Sequence, residues 1–110
     1  MMRINDDKVD DILEFKGVDN AGVAIFYLNN EPFTGIIESF YGNGNLRDEA
    51  EYTDGHIGGV QREYYSTGQL KSEYYKFYGR LHKYVKQWDE SGNLIAHSVY
   101  EDGTKIEKII

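Results

Sequence analysis

Residues 35–105 repeat themselves every 24 positions, with no insertion needed to keep register. Glycines recur at 44, 68 and 92, and again at 55, 79 and 103. Leucines recur as Leu46, Leu70 and Leu94, and aromatics as Phe40, Tyr64 and Trp88. A short unit repeated in this way builds a linear array in which each copy touches its neighbours, so the period narrows the fold before any local propensity is weighed.

Two strands fit in each unit. Asn43-Gly44 and Asp54-Gly55 are hairpin signals, because glycine, asparagine and aspartate accept the positive φ that primed turns demand. The first copy then predicts strands over residues 36–41 and 46–52, the second over 60–65 and 70–76, and the third over 84–88 and 94–100. A last strand over residues 105–110 closes the series. The fold class expected is all-β: an extended antiparallel β-meander of 24-residue hairpin repeats in a single sheet. The meander occupies residues 23–110, with a further strand over Val23–Leu28 and a degenerate first copy in which Glu31 stands where Gly55 stands one period later. Residues 1–22 are an acidic lead-in. Val9, Ile12 and Leu13 have helical spacing, whereas Leu13 and Phe15 alternate like a strand.

Alternation divides each strand into two faces. Leu46, Asp48, Ala50 and Tyr52 share one, with Ile36, Glu38 and Phe40 as their expected partners; Arg47, Glu49 and Glu51 form the wet face. Glu38, Arg62 and Lys86 then fall on the inner parity, which places them at strand ends or over a shallow groove. Tyr41, Tyr65 and Tyr75 are expected on the wet face. A single layer leaves its apolar face in need of a lid, a partner or a homodimer.

The chain has 110 residues, a formal net charge of -7 and no cysteine. Disulfide frameworks and thiolate metal sites are thereby excluded. Residues 1–57 hold 12 Asp or Glu against 4 Lys or Arg, near -8; residues 58–110 hold 7 against 8, near +1. An acidic field repels nucleic acid and anionic lipid and attracts a basic protein. The N-terminus shows no apolar leader core, and no run reaches membrane-spanning length, so the expectation is a cytoplasmic protein with no membrane contact. His56, His82 and His97 lack ligand spacing, and no paired carboxylates sit where burial would split their pKa values. No catalytic residue, cofactor or metal is expected.

Tyr64-Tyr-Ser-Thr-Gly68-Gln-Leu70-Lys-Ser-Glu73-Tyr-Tyr75, together with Pro32-Phe-Thr-Gly35, resembles the MORN family, specifically the shorter MORN-variant repeat of bacterial YwqK-type antitoxins. The resemblance covers about residues 23–105. Lys83 departs from the glycine found at 35 and 59, Asp89 from the second aromatic, and Arg80-Leu81-His82 from the usual glycine pattern, which would let the third copy bend differently or act as a cap. The resemblance implies an antitoxin or immunity protein that binds a cognate toxin and blocks it sterically. On that reading Glu38, Asp48, Glu49, Glu51 and Asp54 pair with a basic toxin surface, and Tyr41, Tyr65 and Tyr75 anchor it. Other MORN proteins imply the alternative, a structural or membrane-associated scaffold module.

Overall fold

The computed structural model describes residues 1–110. Eleven strands follow in chain order: β1 (Arg3–Asn5), β2 (Glu14–Val18), β3 (Ala24–Leu28), β4 (Glu31–Pro32), β5 (Gly35–Phe40), β6 (Leu46–Thr53), β7 (His56–Tyr64), β8 (Leu70–Phe77), β9 (Arg80–Trp88), β10 (Leu94–Glu101) and β11 (Thr104–Lys108). A 3-10 turn (Asp6–Lys8) and a one-turn helix, α1 (Val9–Ile12), lie between β1 and β2.

Each 24-residue unit from β5 onward is a hairpin with two different turns. Asp54-Gly55, Tyr78-Gly79 and Asp102-Gly103 all have positive φ at both residues, as a two-residue type I′ turn requires. The turns at Gly44, Gly68 and Gly92 are of another kind. Only the glycine has positive φ there, and its N–H donates three residues back, to Tyr41, Tyr65 and Asp89 in turn. That is a wider turn closed by a bulge, not the two-residue primed turn that Asn43-Gly44 suggests.

Consecutive units are joined at both ends. Gly55, Gly79 and Gly103 donate their N–H groups to the carbonyls of Phe33, Ile57 and Leu81, again 24 residues apart. At the other end the Tyr41 hydroxyl donates to the Tyr64 carbonyl at 2.6 Å, and the Tyr65 hydroxyl to the Trp88 carbonyl at 2.8 Å. Asn43 and Asn45 both donate from Nδ2 to the Ser66 carbonyl. The tyrosine column is thus a clamp from one unit to the next. Asp89, in the same column, instead accepts from the N–H groups of Ser91 and Asn93 within its own turn.

The single-sheet meander is corrected by the topology. There are two sheets, one of eight strands in the order β1-β5-β6-β7-β8-β9-β10-β11 and one of three in the order β2-β3-β4. The larger sheet is not wholly antiparallel either, because β1 pairs parallel with β5. The reason lies before the first clean repeat. A parallel neighbour needs a crossover, and the turn of helix followed by β2–β4 supplies it. Pro32, which has no N–H to donate, sits on the two-residue edge strand β4. The chain therefore leaves the array and folds back over the sheet.

The core sits under that fold-back. Ile4, Leu13, Phe33 and Tyr52 are its buried members, with Val9, Phe26, Leu28, Ile37, Ala50 and Ile57 packed around them. Phe33 is 1% exposed, and the Tyr52 ring lies 5.7 Å from that of Phe26 and 6.1 Å from that of Phe33. The lid is also sewn to the Asp54-Gly55 turn: Phe26 N–H donates to the Gly55 carbonyl and Asp54 N–H to the Thr34 hydroxyl.

The face assignment needs a second correction. Ile37 pairs with Ala50, and Ser39 with Asp48, so the inner face of β5 carries Ile37 and Ser39, not Ile36, Glu38 and Phe40. Phe40 does pair with Leu46, but the register shifts between Ser39 and Phe40. One residue of β5 there spans two of β6, and a one-residue slip exchanges the faces.

Two substitutions check this architecture. Phe33→Ala should cost about 3–5 kcal/mol in urea denaturation, the range for emptying a packed aromatic site; a loss under about 1 kcal/mol would contradict the core placed here. Gly59 has φ +106°, and a methyl group there would overlap the Glu51 carboxylate. Gly59→Ala should therefore cost about 2–3 kcal/mol, from the left-handed backbone and a displaced hydrogen bond.

Candidate functional site

The two faces of the large sheet differ in chemistry. On the outer face a row crosses six strands: Glu38, Glu49, Arg62, Glu73, Lys86 and His97 are successive cross-strand partners. Arg3 Nη1 bridges the first two, at 2.8 Å from Glu38 and 2.5 Å from Glu49. Arg62 Nε meets Glu73 at 3.2 Å, and the Tyr64 and Tyr84 hydroxyls donate to Glu49 and Glu73. Burial alone would push the Glu49 carboxyl up; the hydrogen bonds from Tyr64 and Arg3 and the charges of Arg3 and Arg62 outweigh it and hold it below the usual carboxylate range. Burial, then the Glu49 carboxylate, pushes Tyr64 up to about 12.

This row absorbs much of the acidic set expected to meet a partner. Glu49 is 6% exposed, Glu38 is held by Arg3, and Glu51 accepts the Val60 N–H at 2.8 Å. Asp48 and Asp54 remain open to solvent, Asp48 beside Arg47 on the opposite face and Asp54 in its turn. Tyr41 and Tyr65 are the inter-unit clamps. Tyr75 lies on the outer face with Lys83 Nζ 4.4 Å from its ring centre. Lys83 itself has φ +68° in the column of Gly35 and Gly59, an unusual backbone for a lysine. The eight residues do not converge on one patch: Tyr41 and Asp54 lie at opposite ends of the first hairpin, and Asp48 faces away from Glu49.

The inner face is only half covered. The lid residues pack over β5, β6 and the start of β7. Beyond them a groove of about 520 Å³ opens, lined by Tyr74, Leu81, Val85, Trp88, Ile95 and Tyr100 among others. Every lining residue belongs to β7–β10 or their connecting turns, and none comes from residues 1–34. Ile95 is 54% exposed. None of the six was singled out as a site residue in the sequence. The signal lay in the columns: Ile37, Gln61, Val85 and Phe33, Ile57, Leu81 stay largely apolar through the third copy, after the chain available as a lid has been used.

The family model of the MORN repeat variant matches residues 33–54 and 57–76. No curated protein matches the chain, and no solved structure does. Over these two stretches the chain carries MORN-variant repeats. The match stops at Lys76, yet β9 and β10 continue the hairpin array at the same period.

The outer row sets both ends of the pH profile. Because Glu49 is held low when folded, its contribution is present above the ordinary carboxylate range and lost as pH falls through its folded value. Tyr64 and Tyr84, each pushed up to about 12, chiefly by burial, contribute fully below about 10 and lose that contribution as pH rises toward 12, and Tyr74 on the inner face does the same. Arg3→Ala should move the midpoint of acid unfolding, followed by circular dichroism, to higher pH and, because the lost contribution is present throughout the pH range above the carboxylates, lower the alkaline midpoint as well. An unchanged acid limb would remove Arg3 from this account.

Proposed function

We propose that the chain is a non-enzymatic binding module that holds a protein partner on the uncovered half of its inner sheet face. The observation that carries this reading is the open groove over β7–β10, where aromatic and branched side chains lie side by side with no element of the chain above them. Contiguous apolar surface left half-buried in an open groove, with Ile95 exposed at its edge, suits an interaction site. Tyrosine and tryptophan supply contact area at low entropic cost, which suits them to anchor a partner. The repeat stiffens the platform, since each unit is clamped to the next.

A narrower reading is a cytoplasmic antitoxin or immunity protein whose partner is a cognate toxin with a basic surface. It draws support from the carboxylates left free of strong internal bonds: Asp7, Asp10 and Asp11 in the lead-in, and Asp48 and Asp54 on the first hairpin. Asp48 faces Glu63 at the β7 edge of the groove, whereas Val85 lies in its floor on β9 and Asp54 in a distant turn, so different substitutions probe the two contacts. Titration of the full chain into a toxin domain encoded beside it, in a calorimeter, should give a dissociation constant below about 1 µM if the narrower reading holds. Val85→Glu should weaken that binding at least tenfold if the groove is the contact, and Asp48→Asn with Asp54→Asn should do so if the acidic patch is. Absence of heat would remove the toxin, and insensitivity to Val85→Glu would remove the groove.

A further inference from the structure

The rim of the groove says what chemistry its occupant carries. Lys71 Nζ lies 5.6 Å from the Tyr65 ring centre, Lys76 Nζ 5.8 Å from that of Tyr74, and Lys105 Nζ 6.0 Å from that of Tyr100. Tyr65, Tyr74 and Tyr100 all line the groove. No carboxylate lies within ion-pair distance of any of these three lysines. The one acid in the lining, Glu63, accepts from the Tyr74 hydroxyl at 3.3 Å. The uncovered half of an acidic protein is therefore an apolar trough with three lysines along its rim, its carboxylates, Glu63 and the facing Asp48, being confined to the β6–β7 side.

The covered half of the same face shows how such a surface is filled. There the chain lays down Asp6–Ile12, a helical turn carrying Asp6, Asp7, Asp10 and Asp11. Val9 packs on the core from it, and Leu13 is buried just beyond. Asp6 faces Arg47 at 3.7 Å. Apolar side chains point into the sheet while carboxylates stay at the margin.

We propose, building on the docking face above, that the groove over β7–β10 takes an acidic segment with apolar side chains along one side, seated as residues 6–13 are seated on the other half. The three rim lysines face its carboxylates, and Leu81, Val85 and Trp88 receive its apolar side chains. Attraction from unpaired rim charges raises the encounter rate and selects against basic segments.

Trp88 is the sole tryptophan and lines the groove, so its emission reports occupancy directly. The probe is a synthetic peptide of residues 4–15, added to the intact protein, with two analogues carrying Asn or Lys at positions 6, 7, 10 and 11. The acidic peptide should shift Trp88 emission saturably, and its affinity should fall at least tenfold between about 50 and 300 mM salt. The Asn analogue should bind at least tenfold more weakly and the Lys analogue not at all. Replacing Lys71, Lys76 and Lys105 by Gln should weaken the acidic peptide at least tenfold without lowering the melting temperature. If the Asn analogue binds as well as the acidic peptide, the docking face survives and the charge preference is overturned. If no peptide moves Trp88, both fall. If Trp88 emission changes with protein concentration alone, a second copy occupies the groove and the proposal is overturned.

Discussion

A β-sheet one layer thick cannot leave a whole apolar face in water, and the covering must come from somewhere. In this chain the covering is short. Residues 3–34 provide one parallel edge strand, one turn of helix and a three-stranded flap, and these reach across β5, β6 and the start of β7. The sheet continues for four more strands. Phe33, Leu13 and Tyr52 are packed as core residues are, whereas Tyr74, Val85 and Trp88, on later strands, line a groove. The difference between core and binding surface here is the reach of the lid, not a change in the sheet.

The outer face obeys another constraint. Six cross-strand positions carry charged or titratable side chains, and they are compatible because Arg3 bridges the adjacent Glu38 and Glu49, opposite charges alternate from Glu49 to Lys86, and tyrosine hydroxyls bond Glu49 and Glu73. Exposed ion pairs contribute little individually. Glu49 is the exception, since it is buried and would be costly without Arg3 and Tyr64 to bond it. Arg3 lies on β1, the strand whose Ile4 enters the core. The parallel edge strand thus serves both faces, placing an apolar side chain beneath and a cation above.

Much of the array could be read from the sequence because its glycines and tyrosines have local reasons. Asp54-Gly55 needs positive φ at both residues, and the same turn recurs at fixed spacing. The flap was not readable, since residues 14–28 share no clear period with the rest, the copy before Gly35 is degenerate, and Val23–Leu28 suits a strand in either sheet. The faces of β5, β7 and β9 were misassigned because one bulge beside each Gly44-type turn changes the parity, and a bulge leaves no residue signature beyond the glycine already used for the turn. Glu38, Glu49 and Glu51 look like a docking patch when counted as charges; only cross-strand register shows them bonded within the sheet. The groove was hidden for a related reason, since its lining is assembled from four strands and defined by what fails to cover them.

The central claim is that one continuous sheet face is closed over β5, β6 and the start of β7 and open from the end of β7 to β10. Paramagnetic relaxation of side-chain methyl signals by a soluble gadolinium chelate measures this directly on the intact protein. Leu81, Val85 and Ile95 should relax strongly and Ile4 and Leu13 weakly, in the same sample and independent of protein concentration. Equal protection of the two sets would mean that the face is covered throughout, and the half-open sheet would be wrong.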